Sequence, residues 1–191
     1  MPSQLYLASR SPRRSQLLAQ LQLSFEIVDG DVDERVAPGQ LPEDYVLAMA
    51  RGKAEAGARN ARDDLPVLGA DTEVVIDGEV LGKPASRAHA VAMLKRLSGR
   101  EHRVLSAIAI VQGDRRETAL SRTAVQFGEI TDAQAAAYWD SGEPADKAGA
   151  YAIQGRGAQF VREIRGSYSG VMGLPLFETA ELLARFGVRP L

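Results

Sequence analysis

The chain has 191 residues, 45% of them hydrophobic and 25% charged, which suits a soluble globular domain with a real core. Its 25 acids and 23 bases leave a net charge of only −2, so the strongly basic footprint of a nucleic-acid binder is missing. It has no cysteine, which excludes disulfides, zinc–thiolate sites and a cysteine nucleophile.

The first residues, Met1-Pro2-Ser3-Gln4, lead into a short apolar run with no basic segment before it, so no signal peptide is expected. No apolar stretch approaches the ~18 residues of a membrane helix, and a cytoplasmic location without membrane contact is expected. Residues 4–8 read as a strand. Ser11 then stands as N-cap and Pro12 at the first helical position, with Leu17, Leu18 and Leu21 on one face of the helix. Residues 25–28 read as a second strand, followed by an acidic loop with Asp29, Asp31, Asp33 and Glu34. Pro42 opens a helix to about Arg62 with Tyr45, Met49, Gly52 and Ala56 as its packed stripe. Residues 66–70 look like a short buried strand and residues 73–76 like a separate one, which turns at Asp77-Gly78 into Val80-Leu81.

Ser86 caps a helix that Gly99 stops. Residues 102–111 and 117–127 pattern as paired strands. Thr131 and Gln134 make a capping box for a helix through Trp139. Residues 159–164 form another strand, and a last helix runs from Pro175 to Gly187. Strands and helices mix along the chain, which gives an α/β class, and the hairpin makes the sheet mixed rather than purely parallel.

Four segments carry chemical promise on residue type alone: the acidic loop at residues 29–34 is mostly solvated but offers one or two carboxylates to a hard cation, residues 145–155 alternate polar and small residues that suit a pocket lining, a weak signal alone, and two others say more. In Ser9-Arg10-Ser11-Pro12-Arg13-Arg14 a strand ends in a small-residue loop that opens a helix. Helix-start N–H groups, two hydroxyls and the guanidinium groups suit an anion, phosphate above all. The alternative is a plain serine cap flanked by solvated arginines. In Leu68-Gly69-Ala70-Asp71-Thr72 a carboxylate ends a buried apolar strand after small residues that would let a ligand approach the backbone. Asp71 there either ligates Mg²⁺, takes a proton from water, or caps a turn.

Gly78 to Pro84 is one residue short of a Walker loop and has proline where Ser or Thr belongs, and Gly155-x-Gly157 lacks the third glycine of a dinucleotide fingerprint at Phe160. His89 and His102 suggest no serine-type triad, and Tyr138 and Trp139 read as packing. The chain has only four lysines, Lys53, Lys83, Lys95 and Lys147, against 19 arginines, which marks a lysine as a compact point charge where it persists.

Taken together, Leu5-Tyr6-Leu7-Ala8-Ser9 with Ser11-Pro12-Arg13-Arg14, Leu68-Gly69-Ala70-Asp71-Thr72, Leu81-Gly82-Lys83-Pro84, Asp146-Lys147-Ala148-Gly149-Ala150-Tyr151, and Gly173-Leu174-Pro175 resemble the Maf family of nucleotide pyrophosphatases, and within it the branch acting on dTTP and UTP. The resemblance implies a single domain over residues 1–191, two-lobed around a twisted mixed sheet like that of inosine triphosphate pyrophosphatases, with the active cleft between the lobes. It implies a divalent metal, Mg²⁺ or Mn²⁺, held by Glu34 and Asp71, and an assembly that is often a homodimer. Asp71 matches the family's catalytic base. Arg13, Thr72 and Gln154 match positions that select the pyrimidine, and Ser9, Arg14, Lys53, Lys83, Asp146 and Lys147 match the phosphate- and substrate-binding cleft. On this expectation three of the four lysines are functional and Lys95 is a surface residue. The rival readings are hydrolysis of another triphosphate such as 7-methyl-GTP, and a non-catalytic nucleotide-binding regulator of septation.

Overall fold

The computed structural model describes residues 2–33 and 39–190; the expectation for Glu34 falls outside them. One seven-stranded sheet runs through these residues. Strand β1 (Leu5–Leu7) leads into helix α1 (Pro12–Gln20), then β2 (Phe25–Ile27) and the long helix α2 (Pro42–Asn60). Strand β3 (Val67–Ile76) turns into β4 (Glu79–Leu81), followed by α3 (Arg87–Leu97) and the long strands β5 (Glu101–Gln112) and β6 (Arg115–Phe127). Helix α4 (Asp132–Asp140), two short 3-10 turns, β7 (Val161–Arg165), α5 (Tyr168–Met172) and α6 (Leu176–Arg185) complete it. The spatial order is β2-β1-β3-β5-β6-β7, with β4 beside β3. β1 pairs in parallel with β2 and β3, and the remaining pairs are antiparallel, so the sheet is mixed, as the patterning indicated.

The local signals act as their chemistry requires. Ser86 Oγ accepts from His89 N, and Thr131 and Gln134 close a complete capping box. Asp77 and Gly78 both take positive φ, 54° and 79°, the conformation of a two-residue hairpin turn. Ser11 occupies the N-cap of α1, but its side chain makes no cap bond.

Three expectations are corrected. The packed stripe of α2 is Val46, Ala50, Ala54 and Gly57, beside Tyr45 and Ala56, whereas Met49 and Gly52 are only half-buried. The helix lies flat on the sheet, so small residues line its contact. The segments at 66–70 and 73–76 are one continuous ten-residue strand, because β5 pairs with it without a break from Val67 to Val75. And Gly69 admits a helix rather than a ligand: a Cβ there would stand 2.4 Å from both Ala50 O and Ala54 N.

The sheet has two covered faces. Val75 of β3 and Leu105, Ala107, Ala109 and Val111 of β5 pack under α2 with Val46, Ala50 and Ala54. Their neighbours in alternation, Leu68, Ala70, Val74 and Ile76 with Val104, Ile108 and Ile110, join the larger core under α1, α3, α4 and α6. β5 is therefore buried on both sides from Val104 to Val111 and loses the alternation expected of a half-exposed strand.

A gap in one edge of β3 positions everything that follows. Along one side β5 covers the strand. Along the other, β1 pairs only at Val67 and Leu68, and β4 begins only at Val74. Residues 69–73 have no strand beside them there. The chain leaves β1 at Ala8, whose N–H still reaches Leu68 O at 2.8 Å, and swings away into α1. The gap opens a cleft against the middle of a well-held strand.

Candidate active site

A cleft of about 770 Å³ occupies this gap. Its lining includes Ser9 to Arg14 from the β1–α1 loop, Asp29 to Asp31, Lys53 from α2, Asp71 to Val74 from β3, Gly82 and Lys83 after β4, Asp146 and Lys147, and Tyr151 to Gln154. Ser9, Arg13, Arg14, Lys53, Asp71, Thr72, Lys83, Asp146, Lys147 and Gln154, all singled out in the sequence, are thus brought to one place. Lys95 is elsewhere: its ammonium is 2.9 Å from Ile130 O and 3.0 Å from Asp132, joining α3 to the start of α4.

Asp71 is buried, and its side chain keeps 8% exposure. Lys53 Nζ donates to its Oδ1 at 2.7 Å, with the Lys53 side chain 12% exposed. The contact follows from packing: Gly69 and Ala54 let α2 lie against the strand, and Lys53, next along the helix, reaches the carboxylate two residues on. Asp71 Oδ2 is buried and accepts no hydrogen bond from any described residue. A buried ionised carboxylate with one oxygen paired and one unmet is costly unless the second meets a proton, a cation or a water.

Strand alternation sends Thr72 to the opposite face of β3 from Asp71. There Ser106 Oγ lies 2.6 Å from Gly170 O and 3.1 Å from Thr72 Oγ1. Ser106 has one proton, and the shorter contact takes it, so the Thr72 hydroxyl donates inward to Ser106 or to Gly173 O at 3.4 Å. Arg14 ties the same corner, with Nε 2.9 Å from Gly173 O and Nη1 3.4 Å from Ser9 Oγ. Two of its nitrogens thus brace the wall of the cleft that the residue lines. Ser9 Oγ also accepts from Ser11 N at 3.2 Å and shapes the loop that opens α1.

The charges divide into paired and unpaired. Arg10 is 3.0 Å from Asp29, and Lys147 pairs with its neighbour Asp146. The Lys147 bond holds the Asp146 carboxyl below the usual range, against burial and with help from the field of Arg13. Arg13 and Lys83 make no ion pair with any described residue. Gly149 N donates to Gly82 O at 3.1 Å, which draws the Lys83 and Lys147 segments together. Two cations on the wall of a concave site, neither tied in an ion pair to a described residue, favour an anion.

The far wall is fixed by a buried aromatic group. His102 Nε2 is 2.8 Å from the Tyr151 hydroxyl, and its ring stands edge-on to Phe127 at 4.8 Å. Burial pushes the His102 pKa down to about 4 and raises that of the Tyr151 phenol, so both are neutral at physiological pH. Gln154 lies beyond them, exposed on the cleft margin.

Glu73, also in the lining, escaped the sequence reading. Its signal was available: Asp71-x-Glu73 places two carboxylates on one face of an otherwise apolar strand, but splitting the strand in two hid the spacing.

Among the described residues no three His, Asp or Glu side chains group as a metal site, and no helix is long and apolar enough to cross a membrane.

An α/β protein whose cleft sets arginine and lysine side chains beside a buried carboxylate has the form of a phosphate-ester or anhydride enzyme. Residues 4–186 match the family described as Maf-like protein, and the chain belongs to that family. It is 54% identical over 187 residues to a dTTP/UTP pyrophosphatase of Methylobacillus flagellatus, covering 97% of this chain and 94% of that one. To a dTTP/UTP pyrophosphatase of Methylococcus capsulatus it is 53% identical over 184 residues, covering 96% and 91%. Among solved structures, a dITP/XTP pyrophosphatase of Mycobacterium abscessus aligns with 95% of this chain and 93% of that chain, at 18% identity and a TM-score of 0.47.

Proposed function

We propose that this protein hydrolyses dTTP and UTP to the monophosphate and pyrophosphate. The observation that carries the reading is the Lys53–Asp71 pair in a cleft whose Arg13 and Lys83 make no ion pair with any described residue. Relatives about half identical over nearly their whole length, named for that activity, support it.

In this reading the triphosphate lies along Arg13, Lys83 and Lys147, and water attacks the α-phosphorus. Lys53 holds Asp71 Oδ1, so Oδ2 is the oxygen that faces the water and takes its proton. Arg13 and Lys83 neutralise charge that grows on the phosphate oxygens, each lowering the barrier by roughly 2–4 kcal/mol if it acts like other preorganised donors. Pyrophosphate leaves with the bond electrons. The residues also fit a divalent cation, as the alternative use of Oδ2: Mg²⁺ is commonly held by one or two carboxylates together with substrate phosphates, and Asp71 has that buried oxygen, unmet among the described residues, to offer. Glu34 with Asp71 would hold Mg²⁺ or Mn²⁺, which supplies charge neutralisation and acidifies bound water.

The base meets Gln154. A uracil or thymine edge presents N3–H between two carbonyls, and one amide can accept from the first and donate to the second. The setting is the cytoplasm, with no nucleic acid required, and the working form is a homodimer.

The test is pyrophosphate release from UTP, dTTP, CTP, GTP and 7-methyl-GTP with Mg²⁺. UTP and dTTP are expected to lead. Preference for a guanine triphosphate refutes the pyrimidine assignment, and no pyrophosphate from any of the five refutes catalysis. Light scattering in solution checks the dimer.

A further inference from the structure

We propose that Tyr138 and Glu143, which lie behind the cleft rather than in its lining, are positioning residues that clamp the loop bearing Gln154 and so set the selectivity for the base. The inference rests on the reading of Gln154 as the group that meets the base.

The loop is held on both sides of Gln154. Before it, Ala152 N donates to the Tyr138 hydroxyl at 3.0 Å. After it, Arg156 N donates to Glu143 Oε2 at 2.9 Å and Gly157 N to Glu143 Oε1 at 3.0 Å. The two anchors are joined, because the Tyr138 hydroxyl donates to Glu143 Oε1 at 2.6 Å. One phenol and one carboxylate thus fix residues 152, 156 and 157, while Gln154 itself projects at the exposed margin of the cleft.

The anchor is rigid at its own end. Tyr138 is buried on α4, packed edge-on against Phe160 at 5.3 Å. The helix is capped at Thr131 and tied to α3 by both nitrogens of the Arg87–Asp140 fork. Burial works to raise the Glu143 carboxyl, and the bonds from Tyr138, Arg156 N and Gly157 N outweigh it, so the group sits below its ordinary value and is charged at neutral pH.

The clamp also explains the two glycines that resembled a broken dinucleotide motif. A Cβ on Gly155 would lie 2.4 Å from the Glu143 carboxylate, and one on Gly157 would lie 2.7 Å from the Tyr138 hydroxyl and 2.6 Å from Ala152 O. Glycine is required at both because the clamp grips the backbone itself. Asp71 and Lys53 stand on β3 and α2, elements other than those that carry the clamp, so loosening the loop should spare the chemical step.

Glu143→Gln tests this. The amide keeps the size but turns an N–H₂ toward a backbone N–H. With UTP, KM is expected to rise about tenfold, the loss of one good hydrogen bond's positioning, with kcat within about threefold of wild type. The ratio of kcat/KM for UTP over GTP is expected to fall by a similar factor, and hydrogen exchange at Arg156 and Gly157 to quicken. Tyr138→Phe keeps the ring packing, serves if Glu143→Gln fails to fold, and should move the same quantities in the same direction.

An unchanged UTP-to-GTP ratio with quickened exchange overturns the clamp's role in selectivity. An equal drop in kcat for every nucleotide also overturns it, marking a general loss of structure. A wild-type enzyme without pyrimidine preference removes the Gln154 reading instead, and shows that the failure lies there rather than in the clamp.

Discussion

His102 offers a measurement of folding and of the cleft wall at once. The ring is 2% exposed, stacked edge-on to Phe127 and bonded to Tyr151, and its Nδ1 meets no described partner. Adding a proton would bury an imidazolium with one N–H unmet, so the folded state refuses it until the pH falls to about 4, against 6.5 for an ordinary histidine. The folded pKa is depressed, so the neutral form carries the stability. Above about pH 6.5 both folded and unfolded states are neutral there and the contribution is complete. Between 6.5 and 4 the unfolded chain binds a proton that the folded chain does not, and stability drains away. At about 1.4 kcal/mol per tenfold, the full loss is about 3 kcal/mol, most of it spent by pH 4.5.

The assay is urea unfolding of the wild type and His102→Phe from pH 7.5 to 4.5. Phenylalanine keeps the ring against Phe127 and cannot titrate, and the carboxylates common to both proteins cancel in the difference. The variant should be less stable at pH 7.5, where it lacks the Tyr151 bond, and the gap should close by about 2–3 kcal/mol at pH 4.5. Parallel pH profiles, or a ring titrating near 6.5 by NMR, refute the reasoning.

Asp71→Asn should lower kcat by at least ~100-fold, the low end for a lost general base, with the fold retained by circular dichroism; activity within a few-fold of wild type removes Asp71 from the mechanism. Lys83→Ala should reduce kcat/KM far more than Lys95→Ala, because Lys83 lines the cleft with no ion pair to a described residue, while Lys95 is tied to Ile130 and Asp132. Equal effects would put Lys83 outside the phosphate site. Gln154→Glu should lower kcat/KM for UTP and dTTP more than for GTP, by roughly 5- to 150-fold, the span of one matched hydrogen bond; unchanged ratios refute its role. Gly69→Ala should cost about 1–3 kcal/mol on chemical unfolding by forcing α2 off β3, and should depress activity through the Lys53–Asp71 contact. A stable, active variant would show that the helix has room to move.

Chain-local physics settled much of this protein from the residues alone. Caps at Ser86 and Thr131 and the Asp77-Gly78 turn each depend on a few neighbouring residues, and the elements formed where those signals stood. The residues expected in the cleft also came together, apart from Glu34, which lies outside the described residues.

Tertiary structure decided what no local pattern encodes. Asp71 looked like the end of a strand but lies in the middle of one. It is reachable because β1 stops at one partner residue and β4 starts at another, and the break belongs to the sheet rather than to β3. Gly69 looked like room for a ligand but is room for α2, because that choice depends on which helix lands on which face. Arg14 lines the cleft as expected, but no local pattern showed that its Nε also meets Gly173 O, 159 residues away, and its Nη1 Ser9 Oγ. Gly155 and Gly157 looked like a failed motif until Glu143 and Tyr138 came close enough to need them. Period and capping act over a turn of chain, whereas hydrogen-bond partners and close approaches are set by segments that meet only when the sheet assembles.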